Sequence, residues 1–374
     1  MKKAGTVFIY LSLAVLILWL VPWLYNLATL ETYSSPFTLY SPVINDFTYL
    51  DRGEGKDFNF IDRKGQVHGD EVQPLFYASV LVSRGEFPDS LAGKPITKAD
   101  ADLHSSILTE RPKDVAKKDV PVRLLMESVP VRLELQDPEE ALVFRRKGIS
   151  VYRMEGKSLL KEKSDKLTSD LGDLGFTFPV KLAAGNPSHR KDYDEGYLLT
   201  DSADKLFHLR QVDGKIECEY FPEADGLAVK WLTITEFKDK ATLGMMVSSD
   251  NTLSVLYPDG KVTRTAVKYD PFKESFMLVG DMFFQTVKVY DNDIEHFYAL
   301  KTDDFSLVDK MDRTYPFEDE VNLCKYIFPC RINFTSSLDG YVKMRFKDFS
   351  WIGLLVDILA ISAVYAIKRR KKTI

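Results

Sequence analysis

The segment Gly175–Lys215, GFTFPVKLAAGNPSHRKDYDEGYLLTDSADKLFHLRQVDGK, holds the densest turn chemistry of the chain and its clearest strand–turn–strand pattern. Asp213-Gly214 stands between two strand-like runs, a hairpin signal because such turns need residues with positive φ. Asp259-Gly260 repeats the pattern 46 residues later, and Asp303 follows another strand 44 residues after that. A period of about 40–50 residues with several strands per unit is typical of β-propellers. We therefore predict a mainly β fold with a few helices, either a propeller-like array or a large irregular β-sandwich.

The composition agrees with a large β domain that does not bind nucleic acid. The 374 residues include 24 Phe and 18 Tyr, which favour strands, and are 45% hydrophobic, enough for a sizeable core. Two lysines near the start, five basic residues near the end and Asp357 lie outside residues 31–348. Of the 50 basic and 55 acidic residues, the middle therefore keeps 43 and 54, a net charge of −11. An acidic middle argues against a nucleic-acid partner.

Two apolar runs predict transmembrane helices that flank this middle. Thr6–Leu24 and Phe349–Ile367 each contain nineteen residues, of which only Asp357 is charged, and nineteen residues are enough to cross about 30 Å of hydrocarbon. Lys2 and Lys3 precede the first run and KRRKK follows the second, so the positive-inside rule places both termini in the cytoplasm. This arrangement predicts a membrane protein with residues 31–348 on the far side of the membrane and an uncleaved signal anchor.

The predicted layout has six parts. They are a cytoplasmic start (1–5), a first transmembrane helix (6–27), an ectodomain with a mixed part (31–174) and a β-rich part (175–348), a second transmembrane helix (349–367) and a basic cytoplasmic tail (368–374). Helical periodicity predicts helices over Glu71–Arg84, Thr97–Leu108 and Leu159–Leu171.

Asp357 is unusual because a carboxylate near the middle of a membrane costs about 2.5–3.5 kcal/mol. Counted from the outer interface, its depth matches that of Trp19 on the antiparallel first helix, whose indole N–H could donate to it. Two interpretations stay open: a hydrated Asp near the interface, or a contact with a partner protein in the membrane.

The loop Gly185–Tyr197 is the strongest candidate for a docking or ion-binding site. Its candidate residues are Asn186, His189, Arg190, Asp192, Asp194 and Glu195. Alternating carboxylates can hold a hard cation through oxygen ligands, but the spacing is not that of an EF-hand. A folded turn with internal ion pairs and a partner-docking loop are the alternatives.

Other sequence signals of chemistry are weak. The five histidines are dispersed, and no Walker A, G-x-S-x-G, H-E-x-x-H or G-x-G-x-x-G pattern occurs. We therefore predict no catalytic residue, metal or cofactor in this chain. Cys324 and Cys330 (CKYIFPC) form either a disulfide, as an oxidising compartment allows, or two reduced buried thiols.

The segment Gly175–Leu209, together with PLFYASVLVSRGEFPDSLAG at Pro74–Gly93, resembles domain of unknown function 4857. This family comprises membrane proteins of Bacteroides and its relatives, often encoded beside ABC-transporter ATPase and permease components. The resemblance extends over most of the chain and implies an accessory role, but no catalytic residues. It also implies a bacterial inner membrane as the location, with residues 31–348 in the periplasm.

Three hypotheses about function follow. The first is a non-enzymatic accessory or regulatory subunit of an ABC-type transporter complex, whose partners would be a permease and an ATPase. The second is an extracytoplasmic module that binds or senses a ligand such as a glycan or a peptide. The third is a membrane-tethered hydrolase, which paired carboxylates or a nucleophile–base pair in a cleft would support.

Overall fold

The computed structural model of the chain describes residues 2–29, 34–51, 59–117, 120, 122–129, 137–291, 293–314 and 324–371. The chain divides into two compact units. One is a β domain, Pro36–Arg313, and the other combines Met1–Ser35 with Thr314–Ile374. We call the second unit the anchor unit.

The elements are short in the β domain and long at the two ends of the chain. The α-helices are α1 (Lys2–Thr29), α2 (Ala78–Arg84), α3 (Lys98–Leu103), α4 (Pro112–Val115), α5 (Lys161–Asp173), α6 (Cys324–Ile327) and α7 (Trp351–Lys371). The strands are β1 (Thr38–Ser41), β2 (Asp46–Asp51), β3 (Asn59–Asp62), β4 (Val67–His68), β5 (Ser90–Leu91), β6 (Lys94–Pro95), β7 (Ser106–Glu110), β8 (Val122–Leu125), β9 (Glu140–Arg145), β10 (Gly148–Arg153), β11 (Ser158–Leu159), β12 (Leu182–Gly185), β13 (Tyr197–Thr200), β14 (Leu206–Val212), β15 (Lys215–Phe221), β16 (Val229–Ile234), β17 (Gly244–Ser248), β18 (Thr252–Leu256), β19 (Val262–Lys268), β20 (Ser275–Gly280), β21 (Phe284–Tyr290), β22 (Ile294–Lys301), β23 (Leu307–Thr314), β24 (Arg331–Asn333) and β25 (Arg345–Lys347).

The described part of the β domain is built mainly from five antiparallel sheets of four or five strands, each based on an up-and-down meander, and β5 and β6 form an additional two-stranded sheet. The first four are β1–β4, β8–β11, β12–β15 and β16–β19, in sequence order. The fifth contains β20–β23 and takes β7 from earlier in the chain as an extra strand beside β20. Successive four-stranded meanders are the construction of a β-propeller, which confirms the mainly β, propeller-like prediction.

The repeat seen in the sequence marks the same hairpin in three successive sheets. Asp213 (φ 49°) and Gly214 (φ 72°) join β14 to β15, as a turn with two positive-φ residues should. Gly260 (φ 84°) lies in the connection from β18 to β19, and Phe305 (φ 55°) lies in the connection from β22 to β23. Each turn joins the third and fourth strands of its sheet, so the period of the sequence is the period of the sheets.

Buried apolar side chains fill the interfaces between neighbouring sheets. One cluster joins the second sheet and α5 to the third sheet, the next joins the third to the fourth, and the next joins the fourth to the fifth. A smaller cluster packs Tyr40 and Phe47 of the first sheet against Phe297 and Ala299 of the fifth. The first sheet therefore packs against the fifth, which accounts for the propeller-like character of the array.

The helix predictions are partly wrong. The Leu159–Leu171 prediction corresponds to α5. The Thr97–Leu108 helix ends at Leu103, because Ser106–Glu110 forms β7 and pairs with β20 more than 160 residues away. A partner strand so distant in sequence overrides local helical periodicity, because strand formation depends on its neighbours.

Among its described residues, the anchor unit contains one helix that is long and apolar enough to span a membrane. The prediction of a second transmembrane helix over residues 349–367 is therefore wrong. Ala4–Thr29 of α1 is long and apolar enough to cross a bilayer. The apolar part of α7 is the shorter Trp351–Ile367, which at 1.5 Å per residue reaches about 25 Å. That length falls short of about 30 Å of hydrocarbon, and Asp357 lies within it.

Candidate functional site

A large cavity in the described part of the β domain lies between the first strands of three successive sheets. It has a volume of 730 Å³, which is in the range of small-molecule sites. Strands β8, β12 and β16 form its walls, and the segment from the end of β7 through α4 borders it. The lining residues are Glu110, Asp114, Val115, Lys117, Val120, Val122, Arg123, Leu124, Lys181, Leu182, Ala183, Ala184, Gly185, Asn186, Pro187, Tyr197, Lys230, Trp231, Leu232, Thr233, Ile234 and Phe272.

The cavity walls are mostly aliphatic and aromatic, with a few charged groups held in place. The Arg123 guanidinium lies 5.3 Å from the ring centre of Phe144 and 5.8 Å from that of Tyr197. The Tyr197 hydroxyl donates a hydrogen bond to the Leu124 carbonyl at 2.5 Å. Lys230 pairs with Asp270 at 3.3 Å. A mainly apolar cavity with a few oriented polar groups is the usual form of a ligand site.

Two carboxylates of the cavity have opposite tendencies to bind a proton. Burial, and then the charge of Asp114, raise the pKa of Glu110. Ion pairs with Lys117 and Arg111, each at 2.8 Å, lower the pKa of Asp114. Opposed pKa shifts in neighbouring carboxyl groups are what general acid–base chemistry uses. Glu110 is thus the residue of this cavity that the hydrolase hypothesis would require.

The loop predicted as a docking or ion-binding site borders the cavity and is built around a buried lysine. The Lys191 ammonium lies 2.7 Å from the Asp194 carboxylate and also pairs with Glu236, in the connection between β16 and β17. The Lys191 side chain is 10% exposed and that of Glu236 is 4% exposed. Glu236 also accepts hydrogen bonds from the Asn186 amide at 3.1 Å and from the Glu195 backbone N–H at 2.9 Å. We call Lys191, Asp194 and Glu236 the Lys191 cluster.

The structure separates the six predicted loop residues into two groups. Asn186, Asp194 and Glu195 join the hydrogen-bond network of the Lys191 cluster. His189, Arg190 and Asp192 are exposed. Among the described residues, no three His, Cys, Asp or Glu side chains come together as a metal site. The arrangement is that of a folded turn whose ion pair between Lys191 and Glu236 connects the third sheet to the fourth.

His208 holds this loop through a hydrogen bond to its backbone. It is buried on β14, and its ring nitrogen Nε2 lies 2.6 Å from the Glu195 carbonyl oxygen, to which it donates. Burial lowers the pKa of His208 to about 4. The ring is therefore neutral at physiological pH and acts as a fixed hydrogen-bond donor.

In the anchor unit, the structure does not bring Trp19 and Asp357 together. The Trp19 ring packs edge-to-face on Phe334, with ring centres 5.5 Å apart. Asp357 is half-buried on α7, and no hydrogen bond joins these two described side chains. Cys330 has a half-buried free thiol. The free thiol favours the reduced alternative over a Cys324–Cys330 disulfide, and the side chain of Cys324 lies outside the described residues.

Sequence reasoning missed the cavity and two of the three members of the Lys191 cluster, Lys191 and Glu236. Glu236 lies 45 residues beyond Lys191, and nothing in the local sequence connects the two. Arg123 and Glu110 are on strands of different sheets, so only the packing of the sheets brings them to one cavity.

Together the fold and the cavity define a propeller-like β protein attached to an apolar N-terminal helix. The chain belongs to the family described as Domain of unknown function (DUF4857), whose model matches residues 37–300. That match extends over the β domain almost from end to end and confirms the resemblance seen in the sequence.

Similarity to other known proteins is low. No curated protein matches the chain. The solved structure of the Dos1 propeller is 11% identical over 47% of this chain, with a TM-score of 0.28, and the chain spans 45% of it. The structure of dihydro-heme d1 dehydrogenase NirN in complex with DHE is 10% identical to this chain, with a TM-score of 0.19. The match covers 83% of this chain and 69% of the NirN chain. Neither likeness carries a functional argument, and the propeller-like description rests on strand order.

Proposed function

We propose that this protein is a membrane-anchored, non-enzymatic binding module whose β domain takes a ligand, such as a glycan or a peptide, into the cavity between β8, β12 and β16. The observation that carries the proposal is the cavity itself. Its 730 Å³ lie between sheets that are otherwise packed. Half-exposed Val122 and Phe272 line it and are available to cover an apolar part of a ligand.

The N-terminal helix supports the membrane part of the proposal. Almost none of the side chains in the apolar window of α1 is buried in the protein, so a lipid environment would cover them. Lys2 and Lys3 favour a cytoplasmic N-terminus. The β domain then lies on the other side of a bacterial inner membrane.

Filling the cavity is expected to abolish binding. We would screen oligosaccharides and peptides by thermal shift with the purified full chain, then compare two variants that place a Trp on an exposed strand position. Val122→Trp fills the cavity, whereas Val67→Trp lies on β4, which does not line it. A true ligand raises the melting temperature of wild type and Val67→Trp but not of Val122→Trp.

Two results would contradict this proposal. One is a ligand whose stabilising effect survives in Val122→Trp, because its site would then lie elsewhere. The other is turnover of the ligand that is lost in Glu110→Gln while binding persists. The second result would replace the binding module by the membrane-tethered hydrolase.

A second candidate function, an accessory subunit of an ABC-type transporter, is favoured by Asp357. This carboxylate lies in the otherwise apolar run of α7, where the neighbouring side chains are mainly exposed. A carboxylate within an exposed apolar run favours contact with a polar group of another protein. A permease helix could provide one, and an ATPase would then supply the energy that this chain has no motif to supply.

Replacing Asp357 is expected to release such a partner. Affinity purification from native membranes in mild detergent, followed by mass spectrometry, should recover a permease and an ATPase with wild type and lose them with Asp357→Leu. Ser362→Leu is the matched control, because it removes another polar side chain from the exposed surface of the same helix. Recovery of the protein alone from wild-type membranes would rule out the accessory-subunit function.

A further inference from the structure

The anchor unit contains a small hairpin with several apolar side chains that the described residues leave exposed. Strands β24 and β25 pair over three residues each, with Ile332 opposite Phe346. Ile332 is buried, but Phe346, on the same face, is 67% exposed. Val342, in the loop between the strands, is 79% exposed, and Tyr341, Met344, Phe349 and Trp351 are exposed as well. A two-stranded hairpin is only marginally stable in water by itself, so this apolar surface needs a cover.

The hairpin lies against α1 at a level inside its apolar run. Strand β24 packs on α1, and Phe334, directly after the strand, contacts Trp19 edge-to-face. Trp19 precedes Leu24, the last residue of the apolar run Thr6–Leu24, by five residues, which corresponds to about 7–8 Å along the helix. A bilayer that covers the apolar part of α1 therefore reaches the level of Phe334.

The charges and aromatic residues of the hairpin fit the boundary between lipid and water. Basic side chains outnumber acidic ones, with Arg331, Lys343, Arg345 and Lys347 against Asp339 and Asp348. Arg331 pairs with Asp348, and Asp339 pairs with Arg345 and Lys343. Two positive charges remain in excess, a sign that suits anionic headgroups. Tyr and Trp are the side chains enriched at this depth.

We propose that the segment from β24 to Trp351 is an interfacial membrane-contact element, with Val342 and Phe346 inserted among lipid chains beside α1. The proposal rests on the membrane anchoring proposed above. It goes beyond that anchoring because it assigns a second, non-helical contact with the bilayer. Since the hairpin packs on α1 and leads directly into α7, this contact would hold the two helices at a defined depth.

Site-directed spin labelling of the full chain in vesicles of phosphatidylethanolamine and phosphatidylglycerol tests the proposal. Single nitroxide labels are placed at four exposed positions after the native cysteines are replaced. Val342→Cys and Phe346→Cys report on the hairpin, Leu13→Cys reports on the anchor α1, and Val67→Cys on β4 is the aqueous control. Collisions with oxygen report lipid, whereas collisions with a soluble nickel chelate report water.

We expect the oxygen-to-nickel collision ratio at Val342 and Phe346 to be several-fold higher than at Val67 and to approach that at Leu13. A lipid-like ratio at Leu13 with a water-like ratio at both hairpin positions would overturn the hairpin proposal and leave the anchor intact. Low collision rates with both reagents would mean that protein covers the hairpin, which also overturns it. A water-like ratio at Leu13 would overturn the anchoring itself and the hairpin contact with it.

A second measurement keeps all native cysteines and does not depend on the cysteine-free background. Vesicles with brominated acyl chains should quench the additional fluorescence of Phe346→Trp several-fold more than that of Val67→Trp. Equal quenching of the two variants would contradict the insertion of the hairpin.

Discussion

Replacing Lys191 by Met should lower the free energy of unfolding by about 3–5 kcal/mol, the cost of removing one partner from a buried ion pair. The lysine is the cation of the Lys191 cluster, and its loss leaves the carboxylates of Asp194 and Glu236 inside the protein without a counter-charge. Chemical denaturation of the purified protein measures the effect. Lys166→Met is the matched control, because Lys166 pairs with Asp170 on the surface of α5 with 73% of its side chain exposed, and its loss should change stability little.

The destabilisation in Lys191→Met should shrink as the pH is lowered. Burial already raises the pKa of Glu236, and Lys191 opposes that rise, so removing the lysine raises the pKa further. A carboxyl group with a raised folded-state pKa binds protons more readily when folded, and it therefore favours the folded state below that pKa and disfavours it above. The difference between variant and wild type should be larger at about pH 8 than at about pH 5. A difference independent of pH would mean that the two carboxylates are not buried together.

Replacing Gly196 by Ala should lower the free energy of unfolding by about 2–5 kcal/mol through backbone strain and steric overlap. Gly196 has a φ of +67°, and a Cβ there would lie 2.2 Å from the Leu209 carbonyl oxygen and 2.8 Å from the Arg210 Cα. Both obstacles are backbone atoms of the neighbouring strand β14, which cannot rotate away. The backbone N–H of Gly196 also donates a hydrogen bond to the Asp194 carboxylate at 2.7 Å, so the substitution should disturb the Lys191 cluster.

The same substitution at Gly172 is the control for Gly196→Ala. Gly172 lies on α5 with open space around the position of a Cβ. Alanine there should leave stability unchanged or raise it by up to about 1 kcal/mol, because glycine is unfavourable in a helix. Thermal and chemical denaturation of both variants gives the comparison. Equal effects at the two positions would show that the conformation at Gly196 is not required.

The features that could be predicted from the sequence are those that local chemistry specifies. Asp213-Gly214 favours positive φ, and it forms the turn between the third and fourth strands of its sheet, as predicted. The first two sheets have positive-φ glycines in the same connection, Gly65 and Gly156. They were missed because neither follows an Asp, so the repeat was seen in three sheets of five. The apolar run of α1 was recognised for a similar reason, since length and hydrophobicity reside in one continuous segment.

The candidate site could not be predicted from the sequence, because its residues come together through the packing of different sheets. Lys191 needs Glu236 from the next sheet, and the cavity needs the first strands of three sheets, none of which any local pattern pairs. The local pattern predicts a helix where strand β7 forms, because the partner strand β20 lies far along the chain and leaves no signal near β7. The mainly β fold class, the repeat and the apolar N-terminal helix could thus be predicted from the sequence, because they depend on turns and on continuous hydrophobic runs. The tertiary structure decided the cavity, the Lys191 cluster and the exposed hairpin, since burial and charge pairing between distant segments exist only once the chain has packed.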